Sequence, residues 1–229
     1  MSKNRTFQNG LLATALTLAA STALAGDGAP VTVRMNGAVL LAGPAVGPLT
    51  KAPTHRPGPI EIFDNMFPVK KYPYGTYFCC LGPTIAGPDN SYGTPAESWA
   101  EAFTPVVDAT VTRVEVGVGY SVGTNSVNIG LNSDAGGVPG TALVSRDVKN
   151  LPPFGSCCAT MTLRSGVQVT AGTKYWVVLG TDAGDADLLG GWNYDTMDQV
   201  TDIDQAENIG NGWRAGAIAP GVALAVWGK

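Results

Sequence analysis

Histidine is almost missing from this chain: its 229 residues hold one, His55, inside a proline-rich stretch. Ser-His-Asp and Cys-His catalysis and histidine-based metal sites are therefore excluded from the rest of the chain unless that stretch folds back on it. His55 itself reads as an exposed linker residue. No G-x-S-x-G elbow, phosphate loop or H-E-x-x-H motif occurs. Charge is sparse, at 14% Asp, Glu, Lys and Arg. No segment carries a sustained 3.6-residue apolar stripe, so long amphipathic helices are not expected. Beyond the N-terminus, no stretch is long and apolar enough to span a membrane.

The N-terminus reads as an export signal. Lys3 and Arg5 give a short positive start, the run 11–25 is uncharged, and Ala23-Leu24-Ala25 is a small-x-small cleavage site. The apolar run is about 15 residues, against the ~20 of a spanning helix, which favours a cleaved signal over an anchor. Cleavage after Ala25 removes two of the 14 basic residues and none of the 18 acidic ones, leaving 12 against 18 and a net charge of −6. Nucleic acid and anionic membrane both call for a basic face and are disfavoured as partners.

What is abundant is glycine (30) and proline (16). Pro30, Pro44, Pro48, Pro53, Pro57 and Pro59 mark residues 26–59 as a mostly extended Pro/Gly-rich arm, since proline blocks helix and cannot donate in a central strand. Within it, Val31-Thr32-Val33 and Val39-Leu40-Leu41 can each make a short strand. From Ile60 to Lys229 the period becomes two. Val114, Val116, Val118 and Tyr120 alternate with Glu115, Gly117 and Gly119; Val127, Ile129 and Leu131 with Asn128 and Gly130; Tyr175, Val177 and Leu179 with Trp176 and Val178; Val222, Leu224 and Val226 with Ala223 and Ala225. Around Trp99-Ala100-Glu101-Ala102-Phe103 the same alternation suits a strand better than a helical turn. Turns are expected at 134–140, Arg164-Ser165-Gly166 and Thr170-Ala171-Gly172. The expected fold is all-β: one antiparallel β-sandwich, jelly-roll-like, over 60–229.

Four cysteines stand as two adjacent pairs, Cys79-Cys80 and Cys157-Cys158. In an exported chain an even count implies disulfides. Adjacent Cα atoms lie ~3.8 Å apart, below the usual ~4.4 Å minimum for a bridge, so bonding between the pairs is favoured, with the partners left open. A four-thiolate zinc site is the alternative, but zinc ligands are usually spaced C-x2-C.

Asp182, Asp185, Asp187, Asp195, Asp198, Asp202, Asp204 and Glu207 fall within 26 residues that contain no Lys or Arg. Such a run is either a solvated loop or a calcium site, with Asp182, Asp185 and Asp187, or the stretch from Asp198 to Asp204, as the candidate hard-oxygen ligands. Glycoside hydrolysis needs two carboxylates across a cleft. Glu97, Glu101 and Glu115 sit near strand-like segments, and an alternating strand puts Glu97 and Glu101 on one face. No positive motif supports an enzyme. Trp192-Asn193-Tyr194 and Trp213 lie in glycine-rich surroundings, where rings and amides suit stacking on sugars and bonding their hydroxyls. Trp176 and Trp227 lie in strands and read as core or sheet-covering.

The chain from Ile60 to Lys229 resembles the bacterial exported β-sandwich domains called choice-of-anchor domains. The resemblance rests on Ile62-Phe63-Asp64-Asn65, Ala102-Phe103-Thr104-Pro105, the strand Ala109 to Val116, the stretch Ile129 to Gly140, Thr173-Lys174-Tyr175-Trp176-Val177-Val178, Trp192-Asn193 and Ala223-Leu224-Ala225-Val226-Trp227-Gly228, taken in that order. It implies a secreted or surface-displayed sandwich and carries over no catalytic residue. Since the chain stops at Lys229 with no sorting tail, a soluble periplasmic or extracellular form is expected. The function expected is a non-catalytic binding or structural module of the cell envelope or secreted matrix, with a polysaccharide or an envelope protein as partner. A carbohydrate-binding module, calcium-dependent or not, is the alternative, and a glycoside-active enzyme the third reading.

Overall fold

The computed structural model describes residues 31–35, 38–42, 60–66, 82–153, 158–194, 203–216 and 221–229. These residues form fifteen strands and no helix. Accordingly, none of them lies in a helix long and apolar enough to cross a membrane. The strands are β1 Val31–Met35, β2 Ala38–Ala42, β3 Ile60–Asp64, β4 Thr84–Ala86, β5 Ser98–Phe103, β6 Ala109–Val116, β7 Val118–Val122, β8 Ser126–Asp134, β9 Pro139–Lys149, β10 Ala159–Val169, β11 Tyr175–Gly180, β12 Leu189–Trp192, β13 Gln205–Asn208, β14 Arg214–Ala215 and β15 Leu224–Gly228.

They build an antiparallel β-sandwich. One layer is a six-stranded sheet in the order β14-β13-β5-β11-β8-β9. The facing layer is a four-stranded sheet, β10-β6-β15-β3, prolonged by the three-stranded sheet β4-β12-β7. The prolongation is direct. β7 follows β6 after Gly117 alone, whose N–H donates to the Ala223 carbonyl and whose carbonyl accepts from Asn193 N–H. In the arm, β1 and β2 pair as an antiparallel hairpin, Val31 opposite Ala42, with β2 beside β4 and β12; the rest of 26–59 and all of 1–25 lie outside the described residues.

The period-two pattern decides which side chains meet. Tyr175, Val177 and Leu179 of β11 join Trp99 and Phe103 of β5, Val127, Ile129 and Leu131 of β8, and Val114, Val116, Leu224 and Val226 of the other layer in one interlayer core. The Phe103 and Tyr175 rings stack at 5.9 Å. The alternate residues face outward, and several of them are apolar and covered. Trp176 is fully buried over Ala100, Ala102 and Ala206, whose small side chains leave room for its ring. Trp227 is buried on the outer face of the four-stranded layer with Met66, Ala223 and Ala225, and the Arg113 guanidinium lies 5.2 Å from its ring centre. Both tryptophans cover sheets, in agreement with the sequence.

One expected turn is absent. Arg164-Ser165-Gly166 lies inside β10, which runs on to Val169 with a break in register against β6 between Thr162 and Val167. The glycine serves a bulge: Gly166 has φ +69°, and a Cβ there would come within 2.4 Å of Thr110 Cγ2. The other two turns form as expected, at the β8–β9 hairpin and at 170–172.

Candidate functional site

The aromatic candidates do not form one surface. Trp192 and Asn193 are both fully buried. The Trp192 indole packs in the interlayer core and donates Nε1–H to the Ala223 carbonyl at 2.9 Å. The expectation of a sugar-stacking Trp192 is therefore corrected. Pairing of β12 with β4 and β7 encloses the ring, and the neighbouring Gly190 serves close strand approach, since a Cβ there would come within 2.7 Å of the Gly119 carbonyl oxygen. Tyr194 is half-buried at the rim of the core. Trp213 is half-buried too, but it packs against the Ala100, Ala102, Trp176 and Ala206 cluster on the outward face of the six-stranded sheet.

The acidic run is similarly dispersed. Asp182 accepts from Gly184 N–H at 2.6 Å, and Asp187 accepts from Thr124 N–H at 3.0 Å. Asp185 is buried and accepts from Asp182 N–H at 2.5 Å; burial holds its carboxyl above the usual range. These three shape the 181–188 loop, and no group of three metal-ligating side chains occurs among the described residues. Asp195, Asp198 and Asp202 lie outside the described residues. Tertiary structure supplies the cations that the run lacks: Asp204 pairs with Lys174, and Glu207 with Arg214 Nε at 2.9 Å. Of the cysteines, Cys158 is described. It is not a free thiol, and it packs beside Ala223, Ala225 and Trp227. Cys79, Cys80 and Cys157 lie outside the described residues.

The alternation does put Glu97, just before β5, on the same inner face as Glu101, both buried, with Trp99 between them. Four residues along a strand separate their Cα atoms by ~13 Å, beyond the ~5–9.5 Å that glycosidase carboxylates keep. Each is committed locally. Glu101 accepts from Asn65 Nδ2 at 3.0 Å, Gln205 Nε2 at 3.3 Å and Val222 N–H at 2.5 Å, so it ties β5 to the opposite layer. Glu97 accepts from the Trp99 indole at 2.6 Å, and burial pushes it up to about 7. Glu115 is on the outer face, 3.4 Å from Arg113.

A different surface stands out at the end of the sandwich where the 104–108, 135–138 and 170–174 loops meet. Val106 is 86% and Val107 52% exposed, an apolar pair at a loop tip. The tip is pinned: Gly172 N–H donates to the Pro105 carbonyl, and Ala171 N–H to Asp108 Oδ1 at 2.8 Å. Beside it opens a groove of about 520 Å³ lined by Ser133, Asp134, Leu143, Gln168, Thr173, Lys174 and Tyr175. Its rim is rigid as well. Asp134 accepts from the Trp176 indole and from Gly136 and Gly137 N–H, and those bonds, the indole's first, hold it below the usual carboxylate range. Leu143, also exposed, lines the groove. Sequence reasoning passed over this surface, although two valines between Pro105 and Asp108, in a segment of turn residues, were a visible signal.

Comparison with known proteins finds no family model and no curated relative that matches this chain.

Proposed function

We propose that this chain is an exported, non-catalytic β-sandwich that serves as a docking module of the cell envelope or secreted matrix, and that it meets a protein partner through its loop end. The observation that carries the reading is the Val106–Val107 tip, held rigid beside a preformed groove. Apolar side chains gathered on one exposed end mark interaction sites more often than scattered ones do, and loops on a rigid scaffold are the usual carriers of binding. The N-terminal signal, cut after Ala25, and disulfides joining Cys79-Cys80 to Cys157-Cys158 belong to the same reading, as does the choice-of-anchor resemblance. A second reading, a carbohydrate-binding module, is supported by the half-exposed Trp213 indole on a sheet face.

The test is site-specific photocrosslinking in envelope preparations, with the crosslinker placed at Val106 in one variant and at Tyr92, exposed in the 87–96 loop away from this end, in another. A discrete adduct from Val106 alone is expected. Equal labelling from both positions, or none from either, would sink the docking proposal.

A further inference from the structure

Glu97 has surroundings that none of its present contacts uses. β13 pairs with β5 so that Glu207 stands opposite Trp99, and β14 pairs with β13 so that Arg214 stands opposite Glu207. Residues directly opposite share a face, and diagonal neighbours on it lie ~7–8 Å apart. Glu207 is thus diagonal to Glu97 across one strand gap, with Arg214 beyond it. Tyr194, two residues past β12, has its titration raised by burial and by the charge of Glu97. From β4, which meets Glu97 through Ala86, the neighbours are Thr84, Ile85 and Ala86, none of them titratable. Among the described residues the groups facing Glu97 are therefore one carboxylate, one guanidinium already paired to it, one phenol and one indole.

The hairpin that carries Glu207 and Arg214 is the weakest part of the six-stranded sheet. β14 is two exposed residues long and forms the edge. Its turn contains Gly210 and Gly212 at φ +95° and +87°, both donating to Asn208 Oδ1. It also carries Trp213, which packs against the cluster around Trp176.

We propose that the Glu97 carboxyl is a proton-controlled latch on the β13–β14 hairpin. Protonated, it sits beside Glu207 without repulsion, and the hairpin closes over it. Ionised, it is a desolvated charge next to a second carboxylate whose one cation is shared, and lifting the hairpin edge lets water reach it. Burial raises Glu97 to about 7; the Trp99 hydrogen bond opposes the rise, Glu207 adds to it and Arg214 opposes it. The closed state holds the proton more tightly, so closure is complete below the ordinary glutamate value of 4.5, weakens as pH rises toward about 7, and is constant above that.

The experiment is hydrogen exchange of the disulfide-bonded chain from pH 5 to 8, corrected for intrinsic rates, with tryptophan fluorescence read alongside. The opening constant of 205–215 is expected to rise at least about tenfold between pH 5 and 7 and then level off, while β8 and β11 stay protected. In Glu97→Gln the rise should vanish. A flat wild-type profile, the same rise in Glu97→Gln, or an equal rise throughout the sandwich would each overturn the latch. The wild-type profile decides the matter even if the variant does not fold.

Discussion

Removing the Glu101 carboxylate should destabilise the sandwich more than any surface change. This side chain is fully buried between the layers. Truncation in Glu101→Ala strands the Val222 N–H, which now donates at 2.5 Å, and takes an acceptor from Gln205 Nε2 and from Asn65 Nδ2. Asn65 retains the Val222 carbonyl and Leu224 N–H, so its loss is partial. A buried donor left without a partner costs about 1–3 kcal/mol, and breaking a buried charged network about 3–5 kcal/mol. The upper range is expected here, because a cavity is added and β3, β5, β13 and the 221–224 segment share the one carboxylate. Against the about 5–15 kcal/mol that holds an ordinary domain together, that is a large fraction. Glu101→Gln keeps the volume but turns one acceptor into a donor facing donors, and should cost about 1–3 kcal/mol. Urea unfolding with a common slope measures both. A loss below 1 kcal/mol for Glu101→Ala would refute the idea that this carboxylate clamps the layers.

Trp192→Ala should cost about 3–5 kcal/mol and Trp213→Ala clearly less, because one ring is wholly enclosed and the other half-covered; equal midpoints in thermal unfolding would contradict this. Asp187 is held below the usual carboxylate range by its bonds to Thr124, so that anchor persists above the unfolded value and is lost as pH falls through the depressed one; exchange at Thr124 N–H should rise only in acid and become independent of pH in Asp187→Asn. Alkylation of the unfolded chain without reductant should leave its mass unchanged, as two disulfides require. Uptake of four alkyl groups would return the cysteines to the zinc alternative.

The strands were legible wherever β-branched and aromatic residues alternated with small ones, because that pattern needs no tertiary information: β8, β11 and β15 follow from it directly. Arg164-Ser165-Gly166 misled because a bulge glycine and a turn glycine make the same demand on φ. Trp192 misled because glycine neighbours signal either exposure or close strand packing, and only the pairing of β12 with β7 tells them apart. The acidic run looked uncompensated because its partners, Lys174 and Arg214, lie outside it in sequence. The shared face of Glu97 and Glu101 was visible, whereas their opposite fates were not: Asn65, Gln205 and Val222 reach Glu101 from distant positions, and Glu207 comes beside Glu97 only through the register of β13.

The docking claim is tested most directly by measuring partner binding for two variants side by side, Val106→Asp with Val107→Asp at the loop end and Trp213→Ala on the sheet face. The predicted result is at least a tenfold loss of affinity for the valine variant and an unchanged value for Trp213→Ala, with both variants folded at the assay temperature. Binding that survives the valine changes and disappears with Trp213 would move the site to the sheet face and leave the carbohydrate module in its place.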